Sequence, residues 1–267
     1  MGLLDGNVLI TGATGGIGHA IAQAFASRGA KLVLSGRRSD VLEALAGELG
    51  ARALACDLSD HAELARLAAE AGAIDVLVAN AALPGTGRLT DLSQAQIDQM
   101  LEVNLRAPIA LARALVPGMI ERRRGHLVFI SSLNGRVASP QSSIYAAAKF
   151  GLRGFALGLR QDLRPHGVGV SVVTPGFIRG AGMFADSGVT LPAGVGTRTP
   201  EQVGAAVLRA VQRNRAEVDV APISLRVGTR VAGVAPELAA TVQRLGGGDR
   251  IAEDLASGQR RKLPSEG

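Results

Sequence analysis

The 267 residues carry 29 lysines and arginines against 23 aspartates and glutamates, a net charge of +6, with 47% apolar but only 3% aromatic side chains. One cysteine, Cys56, excludes an internal disulfide, no stretch has the ~18 apolar residues that cross a bilayer, and the start MGLLDGNVLI lacks a leader pattern. A cytoplasmic protein with a core of Ala, Val, Leu and Ile is expected; its arginines are dispersed and stacking groups scarce, so neither nucleic acid nor membrane is an expected partner.

Seven short apolar runs follow in chain order: 7–11, 31–35, 51–56, 74–79, 126–131, 168–174 and 216–221. Each is too short for a helix and most are rich in Val, Ile or Leu, which predicts strands buried on both faces of a parallel sheet. Between them lie stretches with helical spacing, such as Ile21 and Phe25, or Val41, Leu45 and Leu49. This alternation predicts right-handed βαβ units in one α/β domain over residues 1–250: a doubly wound parallel sheet of about seven strands with helices on both faces. Two long helices are expected at about 94–124 and 143–165. The Gly-rich stretch 177–199 reads as a substrate loop. The pattern after Pro222 is helical to about Leu245, where GGG breaks it, and 251–267 reads as a basic, frayed tail.

The first strand runs into TGATGGIG, which sets Gly12, Thr14, Gly16, Ile17 and Gly18 in a turn before a helix. Glycines there let backbone N–H groups approach a pyrophosphate, and the helix offers its positive N-terminus to the same anion. At the end of the second strand an acid would hold a ribose 2′-hydroxyl, but Gly36 stands there, followed by Arg37 and Arg38. Two guanidiniums suit a 2′-phosphate, so NADP(H) is expected over NAD(H). The bland alternative is a solvated turn before a helix capped by Ser39 or Asp40. Asp57, beside Leu58 after the third strand, either accepts from an adenine amino group or forms a turn with Ser59 or Asp60. Asn80 in VANAAL either borders the cofactor ribose or bonds loop backbone.

Tyr145 is the only tyrosine, and Lys149 is one of three lysines. Four residues apart on a helix, they share a face. A cation beside a phenol lowers its ordinary pKa of ~10 and fits it for proton transfer.

TGATGGIG, NAA at 80–82, Asn104 in LEVNLRAP, ISS at 130–132, YAAAK at 145–149 and TPG at 174–176, in this order, resemble the short-chain dehydrogenase/reductase family over about residues 5–225. The resemblance implies a Rossmann fold and a tetrad of Asn104, Ser132, Tyr145 and Lys149. Tyr145 would exchange the proton, Lys149 would tune it and hold the nicotinamide ribose, Ser132 would steady the substrate oxygen, and Asn104 would hold a relay water. Pro175, Gly176 and Ile178 would lie along the nicotinamide, Ile178 through its backbone, because the family's usual threonine is Gly180 here. The family's NNAG is ANAA. Ser131 is the other serine candidate, but adjacent strand residues face opposite ways.

An NAD(P)-dependent oxidoreductase interconverting a carbonyl and an alcohol is therefore expected, assembled as a homodimer or homotetramer. A catalytically silent dinucleotide-binding regulatory or scaffolding protein is the alternative. Leu83, Leu133, Val137, Phe177, Met183 and Phe184 are candidate walls for a partly apolar substrate, while Arg136 or Arg179 could instead receive a carboxylate. None of the four histidines has a metal-like partner, so no metal is expected.

Overall fold

The computed structural model describes residues 2–189, 191, 195–235, 237 and 253. Seven strands form: β1 (Asn7–Thr11), β2 (Lys31–Gly36), β3 (Arg52–Ala55), β4 (Val76–Ala79), β5 (Gly125–Ile130), β6 (Val168–Pro175) and β7 (Glu217–Val220). They make one parallel sheet in the order β3-β2-β1-β4-β5-β6-β7. The expected runs and the observed strands agree to within two residues, because continuous β-branched and Leu runs suit a sheet covered on both faces. β5 and β6 are buried along their whole length.

Helices α1 (Gly16–Ala26), α2 (Ser39–Leu49) and α8 (Pro200–Gln212) cover one face of the sheet. The other face is covered by α3 (His61–Ala71), α5 (Ala107–Glu121) and α6 (Ser143–Leu163). With few aromatics, the core rests on aliphatic residues around Phe25 and on Phe129, whose ring meets Phe155 edge-on at 5.6 Å. Truncating such a buried ring costs roughly 3–5 kcal/mol. The chain winds outward from β1 in both directions, so a crevice opens beyond the carboxyl ends of β1 and β4, where α/β sheets of this kind bind ligands.

The expected helix over 94–124 is instead α4 (Gln94–Leu101), a π-helical turn over Glu102–Arg106, and α5. The physical reason lies in Pro108, which has no N–H to give the carbonyl of Asn104. Gln94–Glu121 is the one described run long and apolar enough to cross a membrane by length and composition alone. Here the π turn interrupts it and α5 packs on α3 and β5. Neither Ser39 nor Asp40 caps α2; Arg38 occupies that position without a side-chain cap. Asp60 does cap α3, accepting from the N–H groups of Ala62 and Glu63. The basic run after α5 binds β4's entry rather than only its own helix end: Arg122 donates to the Ile74 carbonyl and Arg124 pairs with Asp75 at 2.9 Å.

The 177–199 loop contains the short helix α7 (Gly182–Ser187) and a single bridge between Ile178 and Arg198. The helical pattern after Pro222 gives α9 (Ile223–Val234). Its expected continuation to Leu245, and the 251–267 tail, lie outside the described residues apart from Glu237 and Glu253.

Candidate active site

The glycine turn leaves β1 at the centre of the crevice. Gly12 has φ +65°, and a side chain there would lie 2.7 Å from the Ala81 backbone; one at Gly18 would strike the Gly12 carbonyl. Both positions therefore require glycine to bring the first turn of α1 against the turn. Asn80 ties this turn from β4: its Nδ2 donates to the Thr11 and Gly12 carbonyls, each at 3.1 Å, and its N–H donates to Thr11 Oγ1. Of the two roles open to Asn80, the backbone tie is the one observed. The α7 segment folds over the same turn, with Ala181 against Gly16 and Gly182 near the Ile17 side chain.

At the end of β2, a side chain on Gly36 would come within 3.0 Å of the Thr14 side chain. Arg38 reaches back to donate to the Thr14 carbonyl at 2.6 Å, whereas Arg37 projects from the exposed turn. Asp57 forms a turn: its Oδ1 accepts from the Ser59 N–H at 2.9 Å and the Ser59 hydroxyl at 2.7 Å. Burial works against its charge, yet these bonds and the Arg37 guanidinium hold its carboxyl below the usual range. Arg37 thus lies electrostatically beside Asp57. Leu58 is buried in the core beneath it.

At the other end, β6 delivers Pro175, Gly176 and Ile178. The Gly176 N–H bonds the Val220 carbonyl at 3.0 Å. The Ile178–Arg198 bridge uses the Phe177 carbonyl and the Arg179 N–H. In a parallel bridge this turns the N–H and C=O of Ile178 itself to the opposite side, the arrangement that holding a carboxamide needs.

Ser132, Tyr145, Lys149 and Asn104 converge from β5, α6 and the π turn. Ser132 accepts from the Asn134 N–H at 3.2 Å, and its hydroxyl acts on the Tyr145 phenol against the effect of burial. Ser131 faces the other way and donates to the Lys149 carbonyl at 3.3 Å, as strand alternation requires. Lys149, 2% exposed, donates from Nζ to the Ile130 carbonyl at 3.0 Å and lies 5.7 Å from the Tyr145 ring centroid. Asn104 is fully buried. Its amide pairs twice with Leu83, accepting from the N–H at 2.8 Å and donating to the C=O at 2.9 Å, so its side chain fixes the loop after β4. Only its main-chain carbonyl, deprived of an α-helical donor by Pro108, suits the expected relay role.

The electrostatics differ from the expectation in one respect. Burial pushes the Tyr145 phenol up to about 12, opposed by the Ser132 hydroxyl. Burial also pushes Lys149 down to about 8. Burial is thus the largest influence on the Tyr145 phenol, and the Ser132 hydroxyl opposes it. Tyr145 is nonetheless only half-buried, so its hydroxyl can be reached.

Sequence reasoning also left Arg136 open to substrate. The structure places it 10% exposed against Glu217 and Asp219, at 3.0 and 2.9 Å, and so closes that option. Arg179 donates to Thr197 Oγ1. Phe177 and Phe184 stack at 5.0 Å beside the crevice. Among the described residues no group of His, Cys, Asp and Glu could hold a metal.

The family described as short chain dehydrogenase matches residues 6–190. Dehydrogenase/reductase SDR family member 7B of Xenopus tropicalis is 35% identical over 259 residues, covering 88% of this chain and 84% of that one. Ketoacyl reductase HetN of Nostoc sp. is 36% identical, covering 80% and 77%. A short-chain dehydrogenase from Sphingobium yanoikuyae, solved with NADPH, superposes with a TM-score of 0.76 at 29% identity, covering 88% of this chain and 95% of that one.

Proposed function

The chain belongs to the short-chain dehydrogenase/reductase family of NAD(P)-dependent oxidoreductases, and on that footing we propose that it reduces a partly apolar ketone or aldehyde with Tyr145 as the proton donor. The observation that carries this reading is the meeting of Ser132, Tyr145 and Lys149 at the mouth of the crevice, opposite the glycine turn. A phenol with its ordinary pKa of ~10 is protonated at neutral pH, and burial pushes Tyr145 further up. It can therefore hand its proton to an oxygen as negative charge develops there. Ser132 supplies a second hydroxyl to that oxygen. When bound, the reduced nicotinamide supplies the hydride to the carbonyl carbon.

The residues fit a dinucleotide along the whole crevice. Backbone N–H groups of the glycine turn and of α1 would take the pyrophosphate, and the free backbone face of Ile178 the carboxamide. Arg37 would take a 2′-phosphate, which supports NADP(H) over NAD(H); the Sphingobium enzyme, solved with NADPH, is a consistent relative. Lys149 keeps donor hydrogens beyond the one on Ile130 for a ribose.

A spectrophotometric screen of the purified protein with NADPH and a panel of ketones and aldehydes identifies a working substrate. With that substrate, Tyr145→Phe is expected to lower kcat by about a thousandfold or more while NADPH binding, read by its fluorescence, persists. Retention of full rate by Tyr145→Phe would falsify the assignment. Absence of turnover on any carbonyl, with NADPH still bound, would favour the silent binding protein instead.

A further inference from the structure

β7 is one of the sheet's two edge strands, and its alternation sends Val218 and Val220 into the α1/α8 core while Glu217 and Asp219 point to the α6 side. Glu217 meets two arginines there. Arg153 grips it with both arms, Nε to Oε1 at 2.6 Å and NH2 to Oε2 at 3.2 Å. Arg136 reaches the same Oε1 at 3.0 Å. The positions of these arginines matter. Arg136 ends the turn that begins at Ser132, through Asn134 N–H to Ser132 Oγ and Gly135 N–H to Ser132 O. Arg153 stands one helical turn beyond Lys149 and two beyond Tyr145.

We propose that Glu217 is a positioning residue, a clamp that fixes the Ser132 loop against the helix carrying Tyr145 and Lys149. The inference rests on the oxidoreductase reading for its purpose, not for its geometry. Arg136 reaches Glu217 and Asp219 through one terminal nitrogen, with its side chain 10% exposed, so it is an ion pair largely kept from water and less screened than a surface pair. Burial disfavours the charged Glu217, yet Arg153 and Arg136 keep its carboxyl below the usual range. Asp219 does not do the same job: its other partners, Arg226 and Arg230, sit on α9 rather than α6.

The chain offers an unusual readout. It has one tyrosine and no tryptophan, so absorbance of the ionised phenol reports Tyr145 alone. Ser132 acts on that phenol from the loop and Lys149 shares its helix; Gly85, which lies against the Tyr145 Cβ from the loop after β4, carries no charge. In stopped-flow pH jumps read before unfolding, Glu217→Gln is expected to titrate at higher pH than the unaltered chain, as Ser132→Ala should. In the double variant Glu217→Gln adds nothing to Ser132→Ala, because both act through the Ser132 hydroxyl. Turnover is expected to fall about tenfold in kcat with NADPH affinity kept within about twofold. Arg153→Met cuts the same link from the exposed side of α6 and must reproduce the shift, which decides the matter should Glu217→Gln fail to fold. An unchanged titration in either single variant, a shift that adds fully to that of Ser132→Ala, or an unchanged kcat would overturn the clamp. A chain that turned over no carbonyl would sink the oxidoreductase reading instead, and the titration would still test the clamp.

Discussion

At the scale of single residues, the site works by what burial does to charge. Lys149 and Tyr145 move in opposite directions for one reason: a low-dielectric surrounding disfavours an ammonium and a phenolate alike. The result is that burial pushes both groups toward their neutral forms. The two neighbouring arginines divide their work in the same spirit. Arg38 is anchored on the Thr14 carbonyl and shapes the turn, while Arg37 projects and influences Asp57. Arg37 is therefore the guanidinium that our proposal assigns to a 2′-phosphate. A charged hydrogen bond contributes about 1.5–3 kcal/mol, so Arg37→Asp is expected to lower the NADP-to-NAD ratio of kcat/KM by roughly tenfold to a hundredfold. Steady-state kinetics with both cofactors measure it, and an unchanged ratio assigns the 2′-phosphate to another group.

At the scale of elements, β5 carries chemistry at both ends. Its carboxyl end leads to Ser132. At its amino end, His126 is 1% exposed, with Nε2 2.8 Å from Ser171 Oγ. Ser171 donates its own hydrogen to the Arg215 carbonyl, so the ring must donate through Nε2. Burial, and then the Arg160 guanidinium, push His126 down to about 3 from 6.5. The unfolded chain binds this proton below pH 6.5 and the folded one does not, so stability is fully present above 6.5 and is lost as pH falls toward 3. At pH 5 the loss is roughly 2 kcal/mol. Urea unfolding at pH 7 and pH 5 is expected to show that much less acid sensitivity in His126→Gln, and equal sensitivity in both proteins would remove His126 from the account. The strands themselves were legible because a parallel sheet writes its burial into continuous apolar runs. The interruption between α4 and α5 was less so: Pro108 is visible, but proline near a helix start is ordinary, and only packing shows that a π turn absorbs it.

At the scale of the whole molecule, local motifs pointed to a candidate tetrad because Ser132, Tyr145, Lys149 and Asn104 each sit in a short recognisable phrase. Glu217 had no such phrase. It lies 64 residues from Arg153, on an edge strand whose sequence shows nothing but alternation, and its meaning depends on the tertiary fold. The same holds for assembly, where helix faces must be seen in three dimensions. The outer face of α6 leaves Phe150 41% exposed, beside a helix pair of the kind expected to join subunits. A lone exposed phenylalanine on a monomer would need no explanation, but one centred on a long helix face gives an oligomer an anchor. We expect the 27.3 kDa chain to sediment as a dimer or tetramer at micromolar concentration, with a melting temperature that rises with protein concentration. Phe150→Arg places a charge at the middle of that contact, and self-association buries the face on both partners at once, so the variant is expected to sediment as smaller species. A monomer at all concentrations, or an assembly indifferent to Phe150→Arg, would move the interface to another face.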